Sequence, residues 1–360
     1  MSLWKWSTDL PAIPESARLT LGEGGTPLLH ARRLGAELGL ESLHLKIESA
    51  NPSGSYKDRF AASAISHMLA AGESHCVAST SGNTGAALAA YCALAGMRCD
   101  IAVVETAPED KLRQMIAYGA RLVRIRSFGV DPSVTETVLD GLERIASRPT
   151  AAVQISAFRY SPLGMSGVQT ISYELAAELD GIDHVFCPAG GGGLTLAVAR
   201  GFAQLRAKKT GTASPRIECV QPAGNDTIAG PLREGLPGAQ AVQCATSISG
   251  LQVASVIDGD KVVEVCRDSG GTGHSVSDEA VWAMQARLAR LEGVFSEPAG
   301  AVAVAGAAQA RAAGYLAANA KVICLVTGSG FKDATSIARI AAASPIPTVD
   351  ASELEATLEA

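Results

Sequence analysis

From Leu43 to Thr327, short apolar runs alternate with stretches of helical spacing, and no other feature limits the available folds as much. Leu43–Ile47, Cys76–Ser79, Asp100–Val104 and Arg121–Ile125 read as strands. Asp58–Ala71, Gly85–Ala95 and Glu109–Tyr118, which lie between them, read as helices. The alternation resumes with strand His184–Cys187, helix Thr195–Ala207 and strand Arg216–Gln221. Helices Glu279–Arg290 and Gly300–Ala313 follow, and then the strongly apolar strand Lys321–Thr327. A helix between two strands returns the chain for parallel pairing, so the expected class is α/β, with mostly parallel sheet and helices on both faces. The Gly- and Pro-rich stretch Gln221–Gln243 reads as a surface excursion, and Ser344–Ala360 as an acidic, helix-like tail.

With 360 residues and 47% apolar side chains the chain can bury a large core. Its net charge of −6 argues against nucleic acid or an anionic membrane as the main partner. The start, Met1 to Trp6, lacks the apolar run of a signal peptide, and no segment reads as membrane-spanning. None of the eight cysteines forms a Cys-x-x-Cys pair, so free buried thiols in a cytoplasmic protein are expected.

Four segments combine glycine, short hydroxyl side chains and a strand-to-helix transition, the place where α/β proteins bind ligands. Asn51-Pro52-Ser53-Gly54-Ser55-Tyr56-Lys57-Asp58-Arg59 sets one lysine at a helix entrance, where positive potential lowers its pKa. The alternative is a surface lysine after a loop. Ser79-Thr80-Ser81-Gly82-Asn83-Thr84-Gly85 carries more donors than one helix cap needs and can wrap a carboxylate. Pro188-Ala189-Gly190-Gly191-Gly192-Gly193-Leu194-Thr195 has four glycines, which suit close backbone approach to one phosphate. It is neither a complete dinucleotide fingerprint nor a Walker loop. Thr327-Gly328-Ser329-Gly330-Phe331-Lys332-Asp333 ends the most apolar strand; Lys332 there reads as a solvated or salt-bridged lysine rather than a rival to Lys57.

Taken in order, these segments resemble the fold-type II pyridoxal-phosphate (PLP) family over roughly residues 20–340, and within it threonine synthase most of all. Leu21-Gly22-Glu23-Gly24-Gly25-Thr26-Pro27-Leu28 is similar to that enzyme's leading motif. Asn51–Arg59 is similar to its Asn-Pro-Thr-Gly-Ser-Phe-Lys-Asp-Arg, and Thr327–Asp333 to its Thr-Gly-His-Gly-Leu-Lys-Asp. The resemblance implies that Lys57 is catalytic and holds PLP as a Schiff base. It implies that Asn83 bonds the cofactor's phenolic oxygen, Gly190, Gly191, Gly192, Gly193 and Leu194 cradle its phosphate, and Thr327 faces its ring nitrogen. Ser79, Thr80, Ser81, Thr84 and Arg159 would hold the substrate; Glu297-Pro298-Ala299 matches a stretch near the site without an assigned role. A hydroxyl at Thr327 would weaken the electron sink and favour elimination.

The implied reaction converts O-phosphohomoserine and water to threonine and phosphate, a carbon–oxygen lyase reaction. The alternative is β-elimination or β-replacement on serine, threonine, phosphoserine or a relative. A non-catalytic relative and a dinucleotide-dependent oxidoreductase are weaker readings. The resemblance also implies the fold-type II architecture, α/β with two open, twisted, mostly parallel sheets flanked by helices, together with a homodimer and two domains: a large one from residues 1–51 and 159–360, and a small mobile one from 52–158. No metal is expected.

Several positions depart from the threonine synthase pattern. Tyr56 stands for Phe, Phe60 for Gly, Gly85 for Ser, Ser166 for Glu and Gln169 for Lys, and Thr246–Gln252 does not match. Ser166, Gln169 and Thr246–Gln252 are expected to lie where substrate specificity is set. A second phosphate needs converging cations, for which Arg59, Lys111, Arg113 and Arg159 are candidates.

Overall fold

The computed structural model describes residues 2–129, 131–208, 214–253, 255–342, 344 and 346–359. Ten strands form two sheets. They are β1 (Leu28–His30), β2 (Ser42–Ile47), β3 (His75–Thr80), β4 (Arg98–Val103), β5 (Arg121–Arg124), β6 (Ala151–Gln154), β7 (His184–Pro188), β8 (Arg216–Pro222), β9 (Gly273–Val276) and β10 (Lys321–Val326). The larger sheet runs β1-β2-β10-β7-β8-β9 and the smaller β5-β4-β3-β6. Every pair is parallel except β1 with β2. The α/β class with mostly parallel sheets is therefore what the structure has. The smaller sheet draws only on residues 75–154, and the larger on segments to either side.

The central strand β10, Lys321–Val326, is buried from its second residue onward, as expected for a strand covered on both faces. One face carries Pro298–Ala312, whose alanines and valines are almost all buried. Small side chains let that helix axis approach the sheet closely. Asn83–Ala95 plays the same part on the smaller sheet, with Ala86 to Cys92 buried.

The departures at Phe60 and Ser166 belong to helix packing. Phe60 is fully buried in the Lys57–Ala70 helix. A side chain at Gly164 would lie 2.6 Å from its ring, so the large residue on one helix faces a glycine on the next. Ser166 donates to Leu163 O at 2.6 Å and lies beside Ser63 Oγ, and Gln169 accepts from Tyr173 OH at 3.3 Å. Ser166 and Gln169 both bond within helix seams.

Gln221–Gln243 is not wholly a surface excursion. Gln221 takes the amides of Ile228 and Ala229 on its side-chain oxygen, and Ala229 to Leu232 are buried. Only the part from Arg233 onward is mainly exposed. Among the described residues no helix is long and apolar enough to cross a membrane.

Candidate active site

Lys57 is the first residue of its helix, and its amine donates to Ser156 Oγ at 2.5 Å. Ser156 Oγ lies 3.0 Å from Thr84 Oγ1. The Tyr56 ring sits 4.5 Å from the amine. Desolvation pushes the Lys57 amine down to about 7, against the opposing pull of Glu297. The loop that carries Lys57 is held from both ends. Ser53 donates its amide and hydroxyl to Asp58, and Tyr56 N donates to Thr327 O at 3.1 Å. Ser329 N donates to Gly54 O at 2.9 Å. The first and fourth sequence segments thus form one corner.

The second segment closes it. Ser79 and Thr80 end β3, and Asn83 opens the following helix. Thr80 Oγ1 accepts from the amides of Gly82 and Gly85, so this hydroxyl shapes the loop. Ser79 and Ser81 are half-buried. Asn83 Nδ2 donates to Glu297 Oε1 at 2.5 Å, while its buried Oδ1 has no partner. Glu297 also meets Lys111 Nζ at 3.0 Å, and Lys111 reaches Ser249 Oγ at 3.3 Å. A Cβ on Gly328 would fall 2.1 Å from Glu297 Oε1.

Gly82 has a close neighbour of its own. A Cβ there would lie 2.2 Å from Lys111 Cδ. Gly82→Ala should displace Lys111 and the loop, raising KM for whatever ligand the loop holds at least about tenfold, with a stability loss of about 1–3 kcal/mol. Steady-state kinetics and denaturant unfolding measure the two effects. The departure at Gly85 has a similar origin: a side chain there would strike Thr80 and the Met115 sulfur.

The glycine segment begins the 16-residue helix Gly193–Lys208. Gln221 Nε2 donates to Gly190 O at 3.2 Å, and Asp258 N to Gly191 O at 3.1 Å. Gly193 faces Ser156 O, which brings this loop beside the Lys57 partner. Leu194 and Thr195 are buried, and the Thr195 hydroxyl has no partner. Such a helix start directs unpaired amides at an anion. Thr327, also buried, follows β10.

The candidate cations separate. Arg59 is fully buried between Glu48 and Glu174, Arg113 is exposed and pairs with Asp110, and the exposed Arg159 lies over the Tyr160 ring. Lys111 alone of the four reaches the Ser79–Gly85 loop. Lys332 is not solvated, contrary to expectation. It is buried, donates to Gln114 Oε1 at 2.7 Å, and is pushed down to about 8 by burial. With Gln114, Asp110 and Ser329 it borders a cavity of about 300 Å³.

Sequence reasoning passed over Ser156 and Asp258. Ser156 follows β6, a four-residue strand whose pattern is too short to stand out, yet a hydroxyl just beyond a parallel strand was the available signal. Asp258 receives the amides of Phe158 and Arg159 and fixes the Ser156 segment; only the fold brings it there.

A family model described as pyridoxal-phosphate dependent enzyme matches residues 19–328. The threonine synthase of Mycobacterium leprae is 33% identical over 345 residues, covering 95% of this chain and 91% of that protein. That of Methanosarcina acetivorans is 30% identical over 367 residues, covering 100% and 86%. The processed threonine deaminase isoform 2 of Solanum lycopersicum is 22% identical, covers 96% of this chain and 94% of its own, and superposes with a TM-score of 0.71. With matches of this extent, this chain belongs to the pyridoxal-phosphate dependent enzymes and has their fold-type II architecture.

Proposed function

We propose that this enzyme is a threonine synthase-like lyase that converts O-phosphohomoserine and water to threonine and phosphate. Lys111 carries the reading. It is a buried cation in the Glu109–Ala117 helix that packs against the Ser79–Gly85 loop, beside a hydroxyl at Ser249, in a chain with full-length similarity to threonine synthases. Lys332 adds a second positive group near the same Glu297 carboxylate.

The residues present fit the cofactor. The glycine cradle at a helix start suits its phosphate, the unpartnered Asn83 amide oxygen marks a group awaiting a ligand, and Lys57 holds a readily deprotonated amine. When bound, PLP supplies an electron sink for charge released at the substrate Cα. Lys57 holds the cofactor and, once freed, takes the Cα proton on Nζ; Ser156 orients that nitrogen. Ser79, Ser81 and Thr84 bind the substrate carboxylate, with Thr80 setting the loop. Asn83 and Thr327 position the ring from two elements. Lys111 binds the substrate phosphate and releases Glu297 as it does so.

Lys57 and Asn83 lie within residues 52–158, and Gly190–Gly193 and Thr327 outside them. This supports a small mobile domain closing over a large one formed by 1–51 and 159–360. The homodimer and the cytoplasmic setting belong to the same reading.

The test is a product assay. O-Phosphohomoserine should yield equal amounts of phosphate and threonine, and Lys111→Met should raise KM for it about 10–100-fold, the loss of one charge-assisted bond. Keto acid from serine, threonine or phosphoserine, without phosphate release from O-phosphohomoserine, would instead establish β-elimination. One observation favours that second reading. Ser249, the partner of Lys111, lies in Thr246–Gln252, which departs from the threonine synthase pattern and packs on Gly190.

A further inference from the structure

Three cysteines meet at the far end of the smaller sheet. Cys76 and Cys99 are the second residues of β3 and β4 and stand directly opposite in parallel register. Cys92 comes from the Asn83–Ala95 helix, which packs on both strands. All three sulfurs lie within 4.8 Å of one another, and the residues are 0, 1 and 6% exposed for Cys76, Cys92 and Cys99. The Ser79–Gly85 loop lies at the opposite end of β3, so the group is separate from the Lys57 site.

A single buried thiol is an ordinary small apolar filler. Three sulfurs turned toward one another do something filler does not: they supply converging soft donors. Disulfide formation would use two and leave the third, whereas one ion can use all three.

We propose that Cys76, Cys92 and Cys99 form a trigonal thiolate site for Cu(I). An ion at the centre would sit no further than about 2.8 Å from each sulfur. A metal–thiolate bond is ~2.3 Å, so each sulfur closes by at most about half an ångström. Thiolates select Cu(I) or Zn2+. Zn2+ takes four ligands in structural sites. Among the described residues no fourth His, Cys or carboxylate joins the group, which favours the three-coordinate ion. The copper enters as Cu(I), each ligating thiol gives its proton to water, and no electron moves. Bound copper ties β3, β4 and the helix together, and so stiffens the sheet whose other end carries the substrate loop.

The experiment titrates the PLP-loaded full chain anaerobically with Cu(I) delivered from bicinchoninate, and reads competition, X-ray absorption and thermal midpoint. One Cu(I) per chain with three sulfur neighbours and a raised midpoint is expected. Affinity should fall more than about 100-fold in Cys92→Ala and Cys99→Ala, beyond what loss of an outer-shell partner produces, and stay unchanged in Cys244→Ala. Copper left on the chelator, two sulfur neighbours, undiminished affinity in the two variants, or tighter binding of Zn2+ would each overturn the proposal. Should those variants fail to fold, stoichiometry and sulfur count in the wild type and Cys244→Ala decide it.

Discussion

Lys57→Ala is expected to lower turnover by roughly 10³-fold or more while leaving the protein folded. The visible absorbance of lysine-bound cofactor should vanish or shift in the same variant. Burial disfavours the charged amine, so the native protein gives up the Lys57 proton near pH 7, whereas the unfolded chain keeps it to near 10.5. The sign follows: between these values the unfolded state binds more protons, and the lysine's burden on stability shrinks as pH rises. Removing the side chain relieves that burden, so circular dichroism melting should find the variant no less stable than the apo wild type at neutral pH. The same depressed pKa predicts how the apo wild type takes up PLP. The rate should rise about tenfold between about pH 6 and 8 and then level off, because the neutral amine is the nucleophile. A rate still climbing steeply at pH 9 would show an ordinary lysine and remove Lys57 from the role proposed for it.

Arg59→Ala should produce the largest loss of stability of any single change considered. Its guanidinium is fully buried and donates to both oxygens of Glu48 and both of Glu174, with Thr26 and Thr170 completing the set. Lys46 meets Glu174 and Glu178 from the other side. Removing Arg59 leaves the buried Glu48 carboxylate without its cation, at about 3–5 kcal/mol. That is a large share of the stability a protein of this kind has. Denaturant unfolding should show it, together with a thermal midpoint lowered by roughly 5–15 °C. Arg59→Lys should rescue little, because an ammonium cannot span two carboxylates as the planar fork does. Burial works against the Glu174 charge, yet the bonds and charge of Arg59 hold its carboxyl at about 2. Its contribution is therefore present above the unfolded value near 4.5 and is lost as pH falls toward 2. The network joins residues from Thr26 to Glu178, so its loss should loosen the Lys57 helix as well.

The legible part of the sequence was local. Period and run length marked Lys321–Val326, His184–Pro188 and Asn83–Ala95 to within two residues, because burial on two faces writes a continuous apolar run and a helix writes a recurring one. Short or polar elements escaped. β1 has three residues, and β9 contains a glycine and a histidine. Neither holds enough period to announce itself, and each is specified by its neighbour in the sheet.

Lys57, Asn83, Gly190–Gly193 and Thr327 stood out in the sequence because each belongs to a glycine- and hydroxyl-rich segment beside a strand or helix end, where the residue type follows from the backbone's own needs and its donors. What they meet was not readable. Whether a charge is a ligand or a structural strut depends on which groups surround it. Arg59 and Lys111 have the same sign and similar local settings in sequence. Folding encloses Arg59 between two carboxylates and sets Lys111 against Gly82 in the Ser79–Gly85 loop. The partnerships of Ser156 with Lys57 and of Glu297 with Asn83 join positions 99 and 214 residues apart. The sequence by itself determined the class of fold and the cofactor. Only the tertiary structure decided which lysine is dry, which arginine is already paired and which thiols face one another, since these depend on distances that chain separation does not encode.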